Sequence, residues 1–260
     1  MKNYGQTIIR SFIIIFTLLV SFSGFSQGQQ FKVLLFTKTN GWHHESIHEG
    51  VEAIRKLGER NFFTVEWQEM PTVFNDKKLS EFQVIIFLNT TGDILNNDQQ
   101  TAFTKFIQSG KGFVGIHSAS DTEYEWPWYT QLVGRMFHIH PAIQTAVLKV
   151  VDNKFPGLER MPASWYWTDE WYEFSEEKVK GLNYILAVDE KTYDPNVKWG
   201  EKVGKGMGDM HPIAWYHEFD GGRSFYTALG HMPAIYSDPI FLEHVYGGIY
   251  WAATGKGLKK

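Results

Sequence analysis

The sequence predicts an α/β fold with a mostly parallel central sheet. Apolar strand patterns alternate with amphipathic helix patterns through the first half of the chain, which is the order that βαβ units require. An apolar run then passes through Gly115 into His117, where many α/β enzymes hold their nucleophile on a sharp turn called the elbow. Parallel strands deliver their carboxyl ends to one edge of the sheet, so the elbow is expected to border a ligand cleft.

Each element of the first half has its own signal. An amphipathic stretch predicts a helix over residues 46–57, and Ser46 with Glu49 has the spacing of a capping box. A second helix is expected to begin at an N-cap Asn97 and to end at Gly110. Short apolar runs predict buried strands at residues 31–36, 63–67, 84–88 and 112–116.

The second half has shorter and more irregular signals. A closing helix is predicted over residues 241–252, and residues 220–222, Asp-Gly-Gly, form a hairpin turn signal. The chain shows no internal repeat and no linker, which favours one domain. Strands are predicted at residues 144–151, 184–188, 213–219 and 223–229.

The amino terminus has the pattern of a secretory signal peptide. Lys2 and Arg10 flank the start of an apolar run at residues 11–20, and small residues follow as far as Ser26. The run is short for a bilayer span, so we expect cleavage near Ser26 rather than an uncleaved membrane anchor or stable membrane insertion.

Removal of residues 1–26 would leave residues 27–260 as one domain, placed in the periplasm or outside the cell. An exported chain without cysteine fits a bacterial envelope protein that does not rely on disulfides.

Composition excludes several classes of function. The absence of cysteine rules out a lipidated lipoprotein and a cysteine nucleophile, and Ser118 stands one residue too late at the elbow for acyl-enzyme chemistry. A formal net charge of -4 argues against a nucleic-acid partner, because phosphate binding needs clustered cations. The aromatic share of 16% is high, and such rings either fill a core or stack on sugars.

Histidines carry the strongest chemical signal. His44, His117 and His231 each follow a predicted strand end, so they are expected to converge in one cleft. Together with carboxylates such as Asp121 and Glu170, they suit a divalent metal or a general acid/base site. Their spacing matches no standard zinc motif. A hydrogen-bonded core role for His117 and His231, and a solvated turn for Asp169 and Glu170, stay open as alternatives.

Six ordered segments resemble the ThuA-like, or trehalose-utilisation, family across almost the whole mature chain. The resemblance implies a three-layer flavodoxin-like sandwich, the fold of class I glutamine amidotransferases. The segments are TKTNGWHHESI (37–47), GIHSASDT (115–122), FHIHP (137–141), TDEWY (168–172), HPIAW (211–215), and GRSFY (222–226) followed by GH (230–231).

The resemblance also implies a function in carbohydrate breakdown. In amidotransferases the elbow holds cysteine and a later strand delivers histidine, whereas here His117 occupies the elbow and His231 matches the second place. This departure from the amidotransferase pattern excludes glutaminase activity from the expected functions. The family's association with 3-keto-glycoside pathways suggests sugar chemistry without fixing the step.

These observations lead to specific expectations for the site. The cofactor is expected to be a divalent metal, zinc first, or none, and the partner a small carbohydrate, with homo-oligomerisation left open. The predicted metal ligands are His44, His117 and His231. The predicted catalytic residues are His117, His231 and Asp121, and the predicted substrate-binding residues are Trp42, Glu170, Trp215 and Arg223, the last with a structural alternative.

The leading interpretation is an exported enzyme that acts on a glycoside or a 3-keto-sugar by imidazole-based proton transfer, as an isomerase, lyase or hydrolase. A sugar-binding accessory module without catalysis and a metal-dependent hydrolase are the alternatives.

Overall fold

The structure is a computed structural model that describes residues 28–176 and 179–258. The expected signal peptide, residues 1–26, and its cleavage point near Ser26 lie outside the described residues. No helix within the described part of the chain is long and apolar enough to cross a membrane.

The first half alternates strands and helices, as the sequence predicts. Strands β3 and β4 are buried along their whole length, because helices cover both faces of a parallel sheet. The elements are β1 (Lys32–Phe36), α1 (Ile47–Asn61), β2 (Thr64–Gln68), α2 (Asp76–Leu79), β3 (Val84–Leu88), α3 (Asn97–Gln108) and β4 (Gly112–Ile116).

Both predicted helix caps of this half are wrong in detail. The N-cap of α3 is Asn96 rather than Asn97, and it forms a reciprocal capping box with Gln99. Ser46 stands at the N-cap of α1 but makes no side-chain cap, because its hydroxyl bonds elsewhere in the fold. The sequence therefore locates the helix starts but not which side chains accept hydrogen bonds from the first backbone N–H groups.

The second half adds the predicted strands and several short elements that the sequence analysis did not predict: α4, β5, β7, β8, β10 and β11. Its elements are α4 (Pro127–Val133), β5 (Phe137–Ile139), β6 (Gln144–Val150), β7 (Ser164–Asp169), β8 (Glu173–Phe174), β9 (Asn183–Asp189), β10 (Val197–Trp199), β11 (Lys202–Gly204), β12 (His211–Phe219), β13 (Gly222–Thr227) and α5 (Pro239–Thr254).

The predicted hairpin joins β12 to β13. Asp220 and Gly221 form its two-residue loop, with φ of 48° and 86°. Positive φ at both positions matches the twist of the flanking strands.

One nine-stranded sheet has the order β2-β1-β3-β4-β13-β12-β9-β6-β7. The five strands from β2 to β13 are parallel, which confirms the predicted parallel part. The four strands beyond β13 pair antiparallel. Strand β4, which leads to the elbow, therefore lies near the centre of the sheet.

Helices lie on both faces of this sheet. Ser224 of β13 bonds to the carbonyl of Leu132 in α4, whereas its neighbour Phe225 packs on His244 of α5. Successive side chains of a strand point to opposite faces, so α4 and α5 lie on opposite sides. The result is the expected three-layer sandwich.

Candidate functional site

The elbow after β4 holds His117 in a constrained conformation. His117 begins a 3₁₀ turn, His117–Asp121, and has a φ of 51° in the left-handed region, which is uncommon outside glycine and often found at functional sites. Its Nδ1 lies 2.8 Å from the carbonyl oxygen of Ala228. A carbonyl only accepts, so Nδ1 carries the proton and Nε2 is left as a lone-pair donor.

His117 is one of four residues whose donor atoms all lie within 4.8 Å of one another: His44, His117, Glu170 and His231. His231 Nδ1 is 3.2 Å from His117 Nε2 and 3.2 Å from Glu170 Oε2. The predicted convergence of the three histidines is confirmed, since β1, β4 and β13 are parallel and end at one edge. We call these four residues the His3Glu cluster.

Asp169, a carboxylate buried among backbone amides, organises one side of the cluster. It accepts hydrogen bonds from the backbone N–H groups of Glu170, Gly230 and His231, at 2.9, 3.0 and 3.2 Å. Gly230 has a φ of 117°, and a Cβ there would lie 2.7 Å from the Tyr236 hydroxyl. Asp169 thus fixes the backbone of Glu170 and His231, both of which belong to the cluster. The turn before His231 requires glycine at position 230.

Electrostatics favour the metal-binding forms of His44 and Glu170. Burial, helped by the nearby imidazoles, lowers the pKa of His44 to about 2, so this ring is neutral. Burial works to raise the pKa of Glu170, but the adjacent His117 and His231 imidazoles outweigh it and hold that pKa below its usual range. Burial lowers the pKa of His231, and the Glu170 carboxylate reverses the effect and raises it. Neutral imidazole and ionised carboxylate are the states that ligate metals, so His44 and Glu170 are held in ligating states, whereas a metal competes with a proton at His231.

The spacing of the donors fits a small divalent ion. Ligands at 2.0–2.1 Å from a tetrahedral zinc lie roughly 3.3 Å from one another. The separations among His117 Nε2, His231 Nδ1 and Glu170 Oε2 are 3.2, 3.2 and 3.5 Å. His44 uses Nδ1 toward Ser118 Oγ at 3.3 Å, which leaves its Nε2 for the ion. This donor set can hold a metal.

A cleft of about 420 Å³ opens above the cluster. Aromatic rings form much of its wall, and its polar groups come from three cluster residues together with Asp121 and His140. The lining residues are Trp42, His44, Asp121, Phe137, His140, Glu170, Tyr172, Trp199 and His231. Apolar walls around a few convergent polar groups are typical of small-molecule sites.

Asp121 lies at the end of the elbow turn, inside the cleft. Burial raises the pKa of its carboxyl group, although a hydrogen bond from the Tyr124 hydroxyl, 2.6 Å from Oδ1, works in the opposite direction. A raised pKa makes the Asp121 carboxylate a stronger base than an ordinary aspartate.

Two expected substrate contacts are wrong. Trp215 is fully buried, packs on Tyr226 at 4.5 Å between ring centroids and donates its Nε1–H to the carbonyl of Val133. Arg223 lies at the amino end of β13, at the opposite edge of the sheet, where its guanidinium donates to the carbonyls of Ala252 and Gly110. The Trp215 indole is bonded within the interior, and the Arg223 guanidinium binds backbone carbonyls at helix ends. Neither side chain therefore reaches the cleft.

Of the other predicted residues, His117 lies buried in the cluster, and the rest line the cleft: Trp42, His44, Asp121, Glu170 and His231. Trp42 stands at its rim with 72% of its surface exposed, and Glu170 belongs to the cluster itself rather than only to the cleft wall. Sequence reasoning missed Phe137, His140, Tyr172 and Trp199 as cleft residues. The first three fall inside the family-like motifs at 137–141 and 168–172, whereas Trp199 lies in none of the motifs.

The fold and the site together define a flavodoxin-like α/β protein whose elbow carries histidine beside a potential metal cluster. The chain belongs to the ThuA family: the family profile, described as trehalose utilisation, matches residues 32–252. Carbohydrate metabolism is therefore its plausible setting. No curated protein matches the sequence.

Solved structures support the fold. A ThuA-like protein from Bacteroides uniformis superposes with a TM-score of 0.72 at 21% identity, covering 88% of this chain and 94% of that one. A ThuA-like protein from Parabacteroides merdae gives 0.69 at 20% identity, with 88% and 92% covered. A β-galactosidase from Bacillus circulans gives 0.55 at 13% identity, covering 86% of this chain but only 31% of that one. At these identities the likeness shows the fold alone.

Proposed function

We propose that this protein is a metal-dependent enzyme that acts on a glycoside or an oxidised sugar in the cleft above the His3Glu cluster. The observation that carries the proposal is the cluster itself: four donor atoms within 4.8 Å at the base of an aromatic-walled cleft. Membership of a family described as trehalose utilisation supports a carbohydrate as the substrate.

His44, His117 and His231, with Glu170, would hold the metal, and zinc is the first candidate because imidazole nitrogen and carboxylate oxygen are its usual ligands. A bound divalent ion would supply a Lewis acid that polarises a substrate oxygen.

The protein's own groups would move the proton. Asp121 lies in the cleft with a raised pKa and would remove a proton from a carbon beside a sugar ketone. Such a positioned acid or base contributes about 10²–10⁴-fold to a rate. His140, whose pKa is lowered mainly by burial, is a neutral imidazole 3.2 Å from Glu170 Oε1 and is a second proton acceptor.

Metal binding is tested first. Purified protein is stripped with chelator, titrated with Zn²⁺, Mn²⁺ and Co²⁺ by calorimetry, and analysed for metal content. We expect one ion per chain in the wild type and a loss of at least about tenfold in affinity in His231→Ala. The matched control is His43→Ala, since His43 is the exposed neighbour of His44. Equal affinity in His231→Ala and His43→Ala contradicts the proposal.

Catalysis is tested by incubating the metal-loaded protein with 3-keto-glycosides and the parent glycosides and following products by NMR. Isomerisation, elimination and hydrolysis give different products, so the spectra identify the reaction class. Binding without conversion under every metal condition contradicts the enzyme and favours a sugar-binding accessory module.

We propose in addition that the protein is exported after cleavage near Ser26, on the charged-apolar-small pattern of residues 1–26. Mass spectrometry of the protein from the cell envelope is expected to give an amino terminus near Gln27. An intact Met1 would favour a membrane anchor instead.

A further inference from the structure

The hairpin of β10 and β11 forms one wall of the cleft. Trp199, the last residue of β10, is 42% exposed and lines the cleft. Its ring lies 4.6 Å from that of His140, at 88°, and 6.2 Å from that of Phe137. Phe137 in turn contacts Tyr172 at 4.3 Å, and the Tyr172 hydroxyl is 3.0 Å from His117 Nε2. The aromatic surface is therefore continuous from the hairpin to the His3Glu cluster.

Two carboxylates hold this hairpin in place. Glu173 Oε2 accepts the backbone N–H groups of Lys205 and Gly206, both at 2.8 Å. Glu190 accepts those of Met207 and Gly208, the latter at 2.9 Å. Four successive amides after β11 are thus bound by two side chains from other elements, which makes the hairpin a fixed wall.

We call Glu173, Glu190 and the four amides they bind the hairpin anchor. Hydrogen bonds also connect this anchor to the cleft. Glu190 Oε1 lies 2.7 Å from His211 Nδ1, and His211 Nε2 lies 2.8 Å from the carbonyl oxygen of Tyr172. Gly206 has a φ of 82°, and a Cβ there would lie 2.5 Å from Glu190 Oε2. The hairpin anchor therefore requires glycine at position 206. The hydrogen bonds of Glu190 and His211 position both the hairpin and the backbone of Tyr172.

We propose that Trp199 is a substrate-binding, specificity-determining residue, the stacking wall for a pyranose ring, held in a fixed place by Glu173 and Glu190. This inference rests on the proposed carbohydrate function and extends it to a residue that carries the recognition. An indole face packs against the C–H face of a sugar ring, so the sugar hydroxyls stay free to bind the polar groups of the cleft. A wall that is already fixed loses little conformational entropy when the sugar binds.

The test uses the full-length mature protein and two probes, methyl α-D-glucopyranoside and trehalose, with affinity measured by calorimetry and contacts by saturation-transfer NMR. Trp199→Ala is expected to weaken binding of the better probe about tenfold, and Trp199→Phe to restore most of it. Gly206→Ala, which leaves Trp199 intact but displaces the anchor, is expected to weaken binding as well. With a substrate that is turned over, Trp199→Ala should raise KM and leave kcat nearly unchanged.

The matched control is Tyr166→Ala, since Tyr166 is 78% exposed on β7 and does not line the cleft. Unchanged affinity in Trp199→Ala, an equal loss in Tyr166→Ala, or a wild type that binds neither probe overturns the proposal. Zn²⁺ titration of each variant separates the two hypotheses, because Trp199 is not a cluster residue. Lost sugar binding with normal metal binding supports Trp199, whereas absent metal binding with normal sugar binding contradicts only the metal-dependent reaction.

Discussion

At the scale of single residues, the site depends on side chains whose second polar atom is already engaged. His117 donates Nδ1–H to Ala228 and so presents Nε2, and His44 engages Ser118 and so presents its other nitrogen. Such partners fix the tautomer and the direction of each ligand before any ion arrives. The left-handed φ of His117 adds strain, which the surrounding contacts must hold.

Replacing His117 tests its role directly. His117→Ala is expected to reduce turnover by about a hundredfold or more, the usual contribution of a positioned acid/base or ligand. Because His117 is fully buried, the substitution also leaves a cavity and lowers stability. Turnover is therefore compared at equal folded fraction, measured by circular dichroism. A loss below about fivefold at equal folded fraction would place His117 outside the chemistry.

Ser46 illustrates how a local pattern can identify a residue but not its partner. Its hydroxyl donates to the carbonyl of Gly230 at 3.1 Å and accepts from Asn89 Nδ2 at 2.8 Å. Ser46→Ala leaves both buried partners short of a bond, so we expect a loss of about 1–3 kcal/mol in the free energy of unfolding. Glu49→Ala is expected to change it by less than about 0.5 kcal/mol, because no capping box forms. Urea unfolding measures both free-energy changes. Equal losses in the two variants would show that Ser46 and Glu49 do form a capping box.

At the scale of elements, prediction succeeded where the signal is contained in a short stretch of sequence. The strands of the first half are apolar runs, and the β12–β13 hairpin has its own turn sequence, so both were predicted. Strand β7 was missed because it lies at the sheet edge, where alternate side chains are exposed and no apolar run forms. The two- and three-residue strands β5 and β8 pair with each other across more than thirty residues, so a sequence window does not contain both. Strands β10 and β11 form a local hairpin, but three residues each are too few to give a strand pattern.

The opposite sheet edge, at β2, makes an electrostatic prediction. Glu66 of β2 binds Lys32 at 2.8 Å and Lys78 at 3.0 Å. Burial works to raise the pKa of Glu66, but these two hydrogen bonds outweigh it and hold the pKa below the ordinary 4.5. A carboxyl group with a depressed folded pKa stabilises the protein fully above its unfolded pKa and loses that contribution as pH falls through the folded pKa.

Glu66→Gln should therefore destabilise the protein most at neutral pH, and the difference from the wild type should shrink below about pH 4.5. Urea unfolding at several pH values measures the difference, with Glu59→Gln on the exposed side of α1 as control. A difference that stays constant down to about pH 3 would show that the Glu66 carboxylate does not contribute through its charge.

At the scale of the whole molecule, the His3Glu cluster is assembled from four distant parts of the chain, and the cleft adds a fifth at Trp199. The parallel topology brings His44, His117 and His231 to one edge, and this much follows from the order of strands in the sequence. Glu170 comes from the segment after β7, in the antiparallel extension of the sheet, and Trp199 from a separate hairpin. Their approach depends on how the second half folds over the sheet edge, which no local pattern encodes.

This assembly also predicts how the whole fold responds to metal. An ion that binds only the native arrangement stabilises it by mass action, by about 2.7 kcal/mol at a hundred times Kd. For a chain of this size, Zn²⁺ at that concentration should raise Tm by roughly 5–11 °C. Glu170→Gln removes a ligand and should reduce the shift, whereas His43→Ala should keep it. Differential scanning calorimetry of chelator-treated protein with and without Zn²⁺ measures the shift. Equal shifts in all three proteins would mean that zinc binds elsewhere, because only a site that includes Glu170 couples the four segments to the stability of the fold.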